Sequence, residues 1–154
     1  MTDFKAIRGS IFHMVANPWE HDVSSCYEFF EDGLLLLEDG LVKSVGPANQ
    51  LEKRLGPDVK VVQYDDAIIM PGMIDCHIHF PQITTIASYG AQLLEWLQKY
   101  IFPGEEAFKD KAFADEGAEF FLNQLLREGT TTVAAYGSID PQSIHSLFEA
   151  AQRK

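Results

Sequence analysis

The chemistry of this sequence is concentrated in the segment Pro71-Gly72-Met73-Ile74-Asp75-Cys76-His77-Ile78-His79-Phe80. Residues two apart on a strand point to one face, so His77 and His79 project together while Cys76 and Ile78 face the other way. Neutral imidazole nitrogen is a favoured ligand for zinc and similar divalent ions, and two imidazoles on one rigid strand fix two coordination positions with little residual freedom. His77 and His79 are therefore candidate metal ligands, and on this spacing alone ordinary surface or core histidines are the alternative reading. Asp75 shares their face and could act as an outer partner. Elsewhere the polar groups stand apart. His13, His21 and His145 have no partner at ligand spacing, and Glu20, Glu105 and Glu106 read as solvated carboxylates. Glu31-Asp32-Gly33 and Glu38-Asp39-Gly40 read as turns, because they lack the alternating oxygen ligands of a calcium loop. Cys26 and Cys76 form no Cys-x-x-Cys unit, which argues against a disulfide framework and a thiolate zinc knuckle; both read as small buried hydrophobes.

A strand at 73–80 must hold the histidine pair, and the surrounding pattern supplies its frame. From Phe4 to about Tyr64, short apolar runs alternate with turn signals and read as β structure. Ile7–Val15 is a predicted strand, Phe29 and Phe30 lead into the Glu31-Asp32-Gly33 turn, and Leu34–Leu37 should pair with Leu41–Val45 in a hairpin closed by Asp39-Gly40. A helical piece over Asn49–Gly56 precedes a return to strand at Val59–Val62. The character changes near residues 66–71, which predicts a β-rich leader over 1–70 and a second domain over 71–154. In that second part the apolar spacing predicts a helix across Glu105–Glu128, stopped by Gly129. A β-branched strand follows over 129–137, and then a helix opened by Asp140 and Pro141 with a buried face of Ile144, Leu147, Phe148 and Ala151. Strand, helix, strand, helix points to a parallel sheet with helical crossovers, and a (β/α)₈ barrel is the natural candidate. A complete barrel takes about 250 residues, so residues 71–154 would supply roughly two of its eight units.

Composition narrows the partners. Twelve basic residues against twenty-three acidic ones give a net charge of -11, which excludes an electrostatic footprint for nucleic acid polymers or anionic membranes. The sequence has no apolar stretch long enough for a membrane span and no signal peptide at its start, which reads as cytoplasmic.

A His-x-His pair at the end of an apolar strand, straight after a Pro-Gly break and a β-rich leader, resembles the amidohydrolases, where that pair ends the first barrel strand. Narrower likeness lies in His77-Ile78-His79-Phe80-Pro81-Gln82 and in Ala87-Ser88-Tyr89-Gly90-Ala91-Gln92-Leu93-Leu94-Glu95-Trp96-Leu97-Gln98-Lys99-Tyr100-Ile101-Phe102-Pro103. Both stretches resemble the guanine deaminases. Weaker likeness continues through Gln124–Thr132 and Pro141–Ile144.

The resemblance implies a small β-sandwich leader followed by the first βα units of a TIM-like barrel, truncated. It implies one zinc ion, held by His77, His79, a third histidine and an aspartate, whose activated water attacks C2 of guanine to leave xanthine and ammonia. Gln82 would read the guanine ring from the loop His79, Phe80, Pro81, since a side-chain amide offers a donor and an acceptor together. Trp96, Tyr100 and Phe102 could wall a purine pocket, although an aromatic stripe at this spacing reads first as core. No catalytic proton carrier can be matched within the chain; the remaining ligands and the proton-shuttling residues are expected beyond Lys154, and the 154 residues alone are expected to be inactive. The complete enzyme would be a cytoplasmic homodimer. Rival readings are another amidohydrolase of cytosine deaminase, imidazolonepropionase or triazine hydrolase type, which would share His77 and His79 but not Gln82, and a non-catalytic remnant.

Overall fold

In the computed structural model, residues 4–57, 59–90 and 92–154 are described. Met1, Thr2 and Asp3 of the leader, and Ala91 within the Ala87–Pro103 motif, lie outside them. The chain divides into two units, Met1–Pro71 and Gly72–Lys154.

The first unit is built from β1 (Phe4–Met14), β2 (Tyr27–Glu38), β3 (Leu41–Pro47), the short helix α1 (Ala48–Leu51) and β4 (Val61–Ile69). They form one four-stranded sheet in the order β3-β2-β1-β4. β1 is antiparallel to β2 and parallel to β4. The β2–β3 hairpin turns at Asp39 and Gly40, whose φ values of 52° and 80° match the two positive-φ positions of a type I′ turn. Ala6, Leu34, Leu36, Ala48 and Leu51 form its core. The second sheet of a sandwich is not present among the described residues of this unit.

Glu31-Asp32-Gly33 is not a turn: it runs inside β2, where Gly33 pairs with Gly9 on one side and Pro47 on the other. The glycine serves packing, since a Cβ there would lie 2.8 Å from the Ile11 side chain. Asp32 tolerates a strand position because Arg8 binds its carboxylate in a fork, at 2.6 and 2.7 Å. The apolar run Ala67-Ile68-Ile69 completes β4 and thus belongs to this unit.

The second unit opens with β5 (Met73–His79) and a 3₁₀ turn over Phe80–Thr85. α2 (Leu93–Trp96), a π-turn (Leu97–Ile101) and α3 (Phe102–Glu106) follow as one winding stretch, then α4 (Lys111–Arg127), β6 (Thr130–Tyr136) and α5 (Pro141–Ala151). β5 and β6 pair in parallel, as a helical crossover requires. Phe80, Phe108, Ala114, Ala118, Phe121 and Ala150 are its core. The long helix expected from Glu105 begins only at Lys111, because the Asp110 side chain accepts the Phe113 N–H at 2.9 Å and starts a new helix there. Gly129, at φ 84°, ends it.

Asp140 and Pro141 open α5 as expected; of its expected buried face Leu147 packs half-buried against the core and Ile144 is half-buried, but Phe148 is 65% exposed and Ala151 lies outside, and the fully buried residues are Ser143, Ser146 and Ala150. Small side chains let α4 and α5 approach closely, and the buried hydroxyls are satisfied: Ser143 donates to the Asp140 carbonyl at 3.0 Å. Cys26 is buried, whereas Cys76 is exposed. The β5 register on β6 slips between Asp75 and Ile78, and Cys76 falls within the slip rather than against the core. No helix among the described residues is long and apolar enough to cross a membrane.

Candidate metal centre

The slip in β5 also decides how the histidines stand. Asp75 Oδ1 accepts the backbone N–H of His77 at 2.9 Å, which satisfies a donor that the irregular ladder leaves free. The Nε2 atoms of His77 and His79 then lie 3.2 Å apart. Two nitrogens each about 2.0–2.1 Å from one zinc ion, near the tetrahedral angle, would have about that separation. The donor set and its spacing therefore fit a zinc ion, with both bonds made through Nε2. Among the described residues no group of three or more His, Cys, Asp or Glu side chains surrounds this point, so the described residues offer two of the four positions of such a site.

Tyr136, at the end of β6, stacks on His79 with ring centroids 4.8 Å apart and lies 4.9 Å from His77. Gln82, on the turn after β5, places Nε2 3.2 Å from His79 Nδ1 and 3.2 Å from Glu105 Oε1. His77, His79, Gln82 and Trp96 line a cleft of about 490 Å³, a volume suited to a small heterocycle. Trp96, read first as core, lines this cleft and donates from Nε1 to the Ser88 carbonyl at 2.8 Å. Tyr100 and Phe102 are not among the residues lining it.

The structure thus brings His77, His79 and Gln82 together and leaves two expected loop contacts aside. Phe80 and Pro81 are buried. The Phe80 ring sits 5.1 Å from that of Phe108 and 5.3 Å from that of Phe121, which makes it a core side chain. Glu105, expected to be solvated, is half-buried and bound to Gln82. Glu105 and Tyr136 carry no signal in the sequence, since each reaches the site through a fold contact across 23 or more residues.

Residues 68–154 match the family described as "Amidohydrolase family", which is more than half of the chain. The chain belongs to the amidohydrolase family. Among proteins similar to this amidohydrolase chain, the guanine deaminase of Escherichia coli is 43% identical over 150 residues, covering 96% of the chain and 34% of the relative. The solved structure of E. coli guanine deaminase matches with a TM-score of 0.89 at 42% identity over 97% of the chain and 35% of its own. That of guanine deaminase from Bradyrhizobium japonicum matches with 0.87 at 42% identity, covering 97% and 33%. An adenosine deaminase from Xanthomonas campestris with bound zinc matches with 0.70 at 25% identity, covering 94% and 31%. This amidohydrolase chain spans about a third of the length of these relatives.

Proposed function

We propose that this chain is the front portion of a zinc-dependent guanine deaminase, in which guanine and water give xanthine and ammonia. The observation that carries the reading is the 3.2 Å approach of the two Nε2 atoms beside Gln82, in a chain 43% identical to E. coli guanine deaminase. In the same reading the first unit is the β-rich leader and the second the opening βα units of a TIM-like barrel. Active sites in that architecture gather at the carboxyl ends of the strands, and His79 and Tyr136 stand at the carboxyl ends of β5 and β6.

His77 and His79 would hold the zinc ion through Nε2, leaving their Nδ1 atoms to outer partners. A zinc ion held there supplies a water acidified toward neutral pH, which is what a hydrolysis needs from it. Asp75 and Tyr136 keep the two imidazoles in place, by the His77 N–H bond and by stacking. Gln82 holds the heterocycle by hydrogen bonding at its edge, and Trp96 lines the same cleft. At C2 the bond to the exocyclic nitrogen breaks as one to oxygen forms, and the departing nitrogen takes up a proton to leave as ammonia. No described residue is assigned that proton, and two ligands do not close the site.

The test is a chimera in which residues 1–154 replace the matching front third of E. coli guanine deaminase. We expect the chimera to bind zinc and release ammonia from guanine, the 154-residue chain alone to do neither at a comparable rate, and His77→Ala or His79→Ala to abolish turnover. A folded, zinc-loaded chimera that turns over cytosine or adenosine and leaves guanine untouched would overturn the reading.

A further inference from the structure

We propose that residues 85–90 form a clasp that holds the Trp96 indole with its nitrogen edge turned out of the cleft, so that this wall meets a ligand with carbon alone. The ligand half rests on the reading that the cleft takes the heterocycle; the clasp does not. Trp96 lines the cleft together with Thr85, Ile86 and Ala87. Its Nε1 donates to the Ser88 carbonyl at 2.8 Å. A tight turn presents that carbonyl: the Ser88 N–H reaches the Thr85 carbonyl at 3.1 Å, and Ala87 takes a φ of 63°. An alanine in the left-handed region is strained, and such a conformation persists where surrounding contacts hold it. Here the turn and the indole hold one another.

Gly90 supplies the second constraint. A Cβ there would lie 2.4 Å from Trp96 Cβ, 2.5 Å from Cδ1 and 2.7 Å from Cγ, none of which is the mobile end of the side chain. Only a glycine lets the backbone close on the root of the indole. Cδ1 and Nε1 share one edge of the five-membered ring, and both face residues 88–90, which leaves the six-membered ring to the cleft. An indole has one hydrogen-bond donor and no acceptor, so with its N–H on Ser88 it offers a ligand no polar group. It suits the face or C–H edge of a flat heterocycle, whereas a ligand hydroxyl or charge placed there would lack a partner. Trp96 is then a specificity-determining residue, and Gly90 a positioning residue that acts through it.

NMR of the 154-residue chain reads the clasp, with the 91% exposed Trp19, the other of its two tryptophans, as internal standard and Trp19→Phe to assign the signals. The Trp96 indole N–H should exchange roughly two- to tenfold more slowly than that of Trp19, as one net hydrogen bond implies, and Gly90→Ala should remove the difference. Equal exchange of the two indoles in the wild type would overturn the proposal, as would a Trp96 N–H still protected in Gly90→Ala. The first comparison needs no folded variant. For the ligand half, Gly90→Ala and Trp96→Ala in the chimera with E. coli guanine deaminase should each raise KM for guanine about two- to tenfold with little change in kcat. The double variant should go no further than Trp96→Ala alone. An unchanged KM, or losses that add in the double variant, would overturn the ligand half and leave the clasp standing. A chimera with the wild-type front that leaves guanine untouched would overturn the reading of the cleft and the ligand half with it, while indole exchange still decides the clasp.

Discussion

The rings of His79 and Tyr136 lie 14° from parallel across the β5–β6 pair, because the two residues are direct register partners at the ends of their strands. Tyr136 lies within ring contact of His77 as well, so a single side chain braces both imidazoles. Tyr136→Ala should therefore loosen the pair. An aromatic contact of this kind is worth about 0.5–1.5 kcal/mol, which corresponds to a roughly two- to tenfold loss of zinc affinity. Tyr136→Phe, which keeps the ring, should retain wild-type affinity. Competition titration against a zinc indicator on the chimera separates the two variants, and equal losses in both would assign the effect to the hydroxyl.

Asp75 acts on the other side of the pair, by accepting the His77 N–H within the β5 slip. Outer partners of metal ligands typically change affinity about 10- to 100-fold when removed. Asp75→Ala should fall in that range. Asp75→Asn keeps an oxygen in position for the same N–H and should lose far less. An identical loss in the two variants would show that the charge of Asp75, and not its hydrogen bond, supports the site.

These two predictions mark where sequence reasoning is informative and where it is not. His77 and His79 are legible because strand alternation is a local rule, and Asp39-Gly40 is legible because a tight hairpin demands positive φ. Asp110, by contrast, caps α4 with a side chain that the apolar periodicity across 105–128 hides, and so the periodicity predicts one long helix where the end of α3, a 3₁₀ turn and α4 follow one another. Gly33 shows the same limit. An Asp-Gly pair looks like a turn until Arg8 takes the aspartate and Ile11 fills the space beside the glycine, and neither contact is local. Phe80 follows the histidine pair directly, yet the aromatic rings that claim it, Phe108 and Phe121, come from the far side of the connection.

Acid should weaken the first unit in a specific way. The hydrogen bond from Arg8 holds the Asp32 carboxyl below the ordinary aspartate value of 3.8, and the Arg8 charge adds to it. A carboxylate lowered in the folded state contributes stability that is fully present above the unfolded value and is lost as pH falls through the folded one. Asp32→Asn should therefore be less stable than the wild type at neutral pH, with the gap closing below about pH 4. The gap should be small, because the Asp32 side chain is 58% exposed and solvent screens the pair. Urea midpoints of the two proteins across that pH range provide the check, and a gap that persists in acid would rule out the ion pair as its source.

Phe80 and Gln82 stand two residues apart and should answer substitution in opposite ways. The Phe80 ring is fully buried between Phe108 and Phe121, so Phe80→Ala opens a cavity that the surrounding helices close only in part. Truncating a buried phenylalanine costs about 3–5 kcal/mol, a large share of the stability of a unit this size. Gln82 is half-buried, with its amide turned to His79 and Glu105 rather than into the core. Gln82→Ala should leave the unfolding free energy within about 1 kcal/mol of the wild type while weakening guanine turnover in the chimera. Equilibrium unfolding and steady-state kinetics on the same two variants test the division. If Phe80→Ala kept its stability and lost only guanine turnover, Phe80 would be a ligand contact after all, and the core assignment drawn from its ring packing would fail.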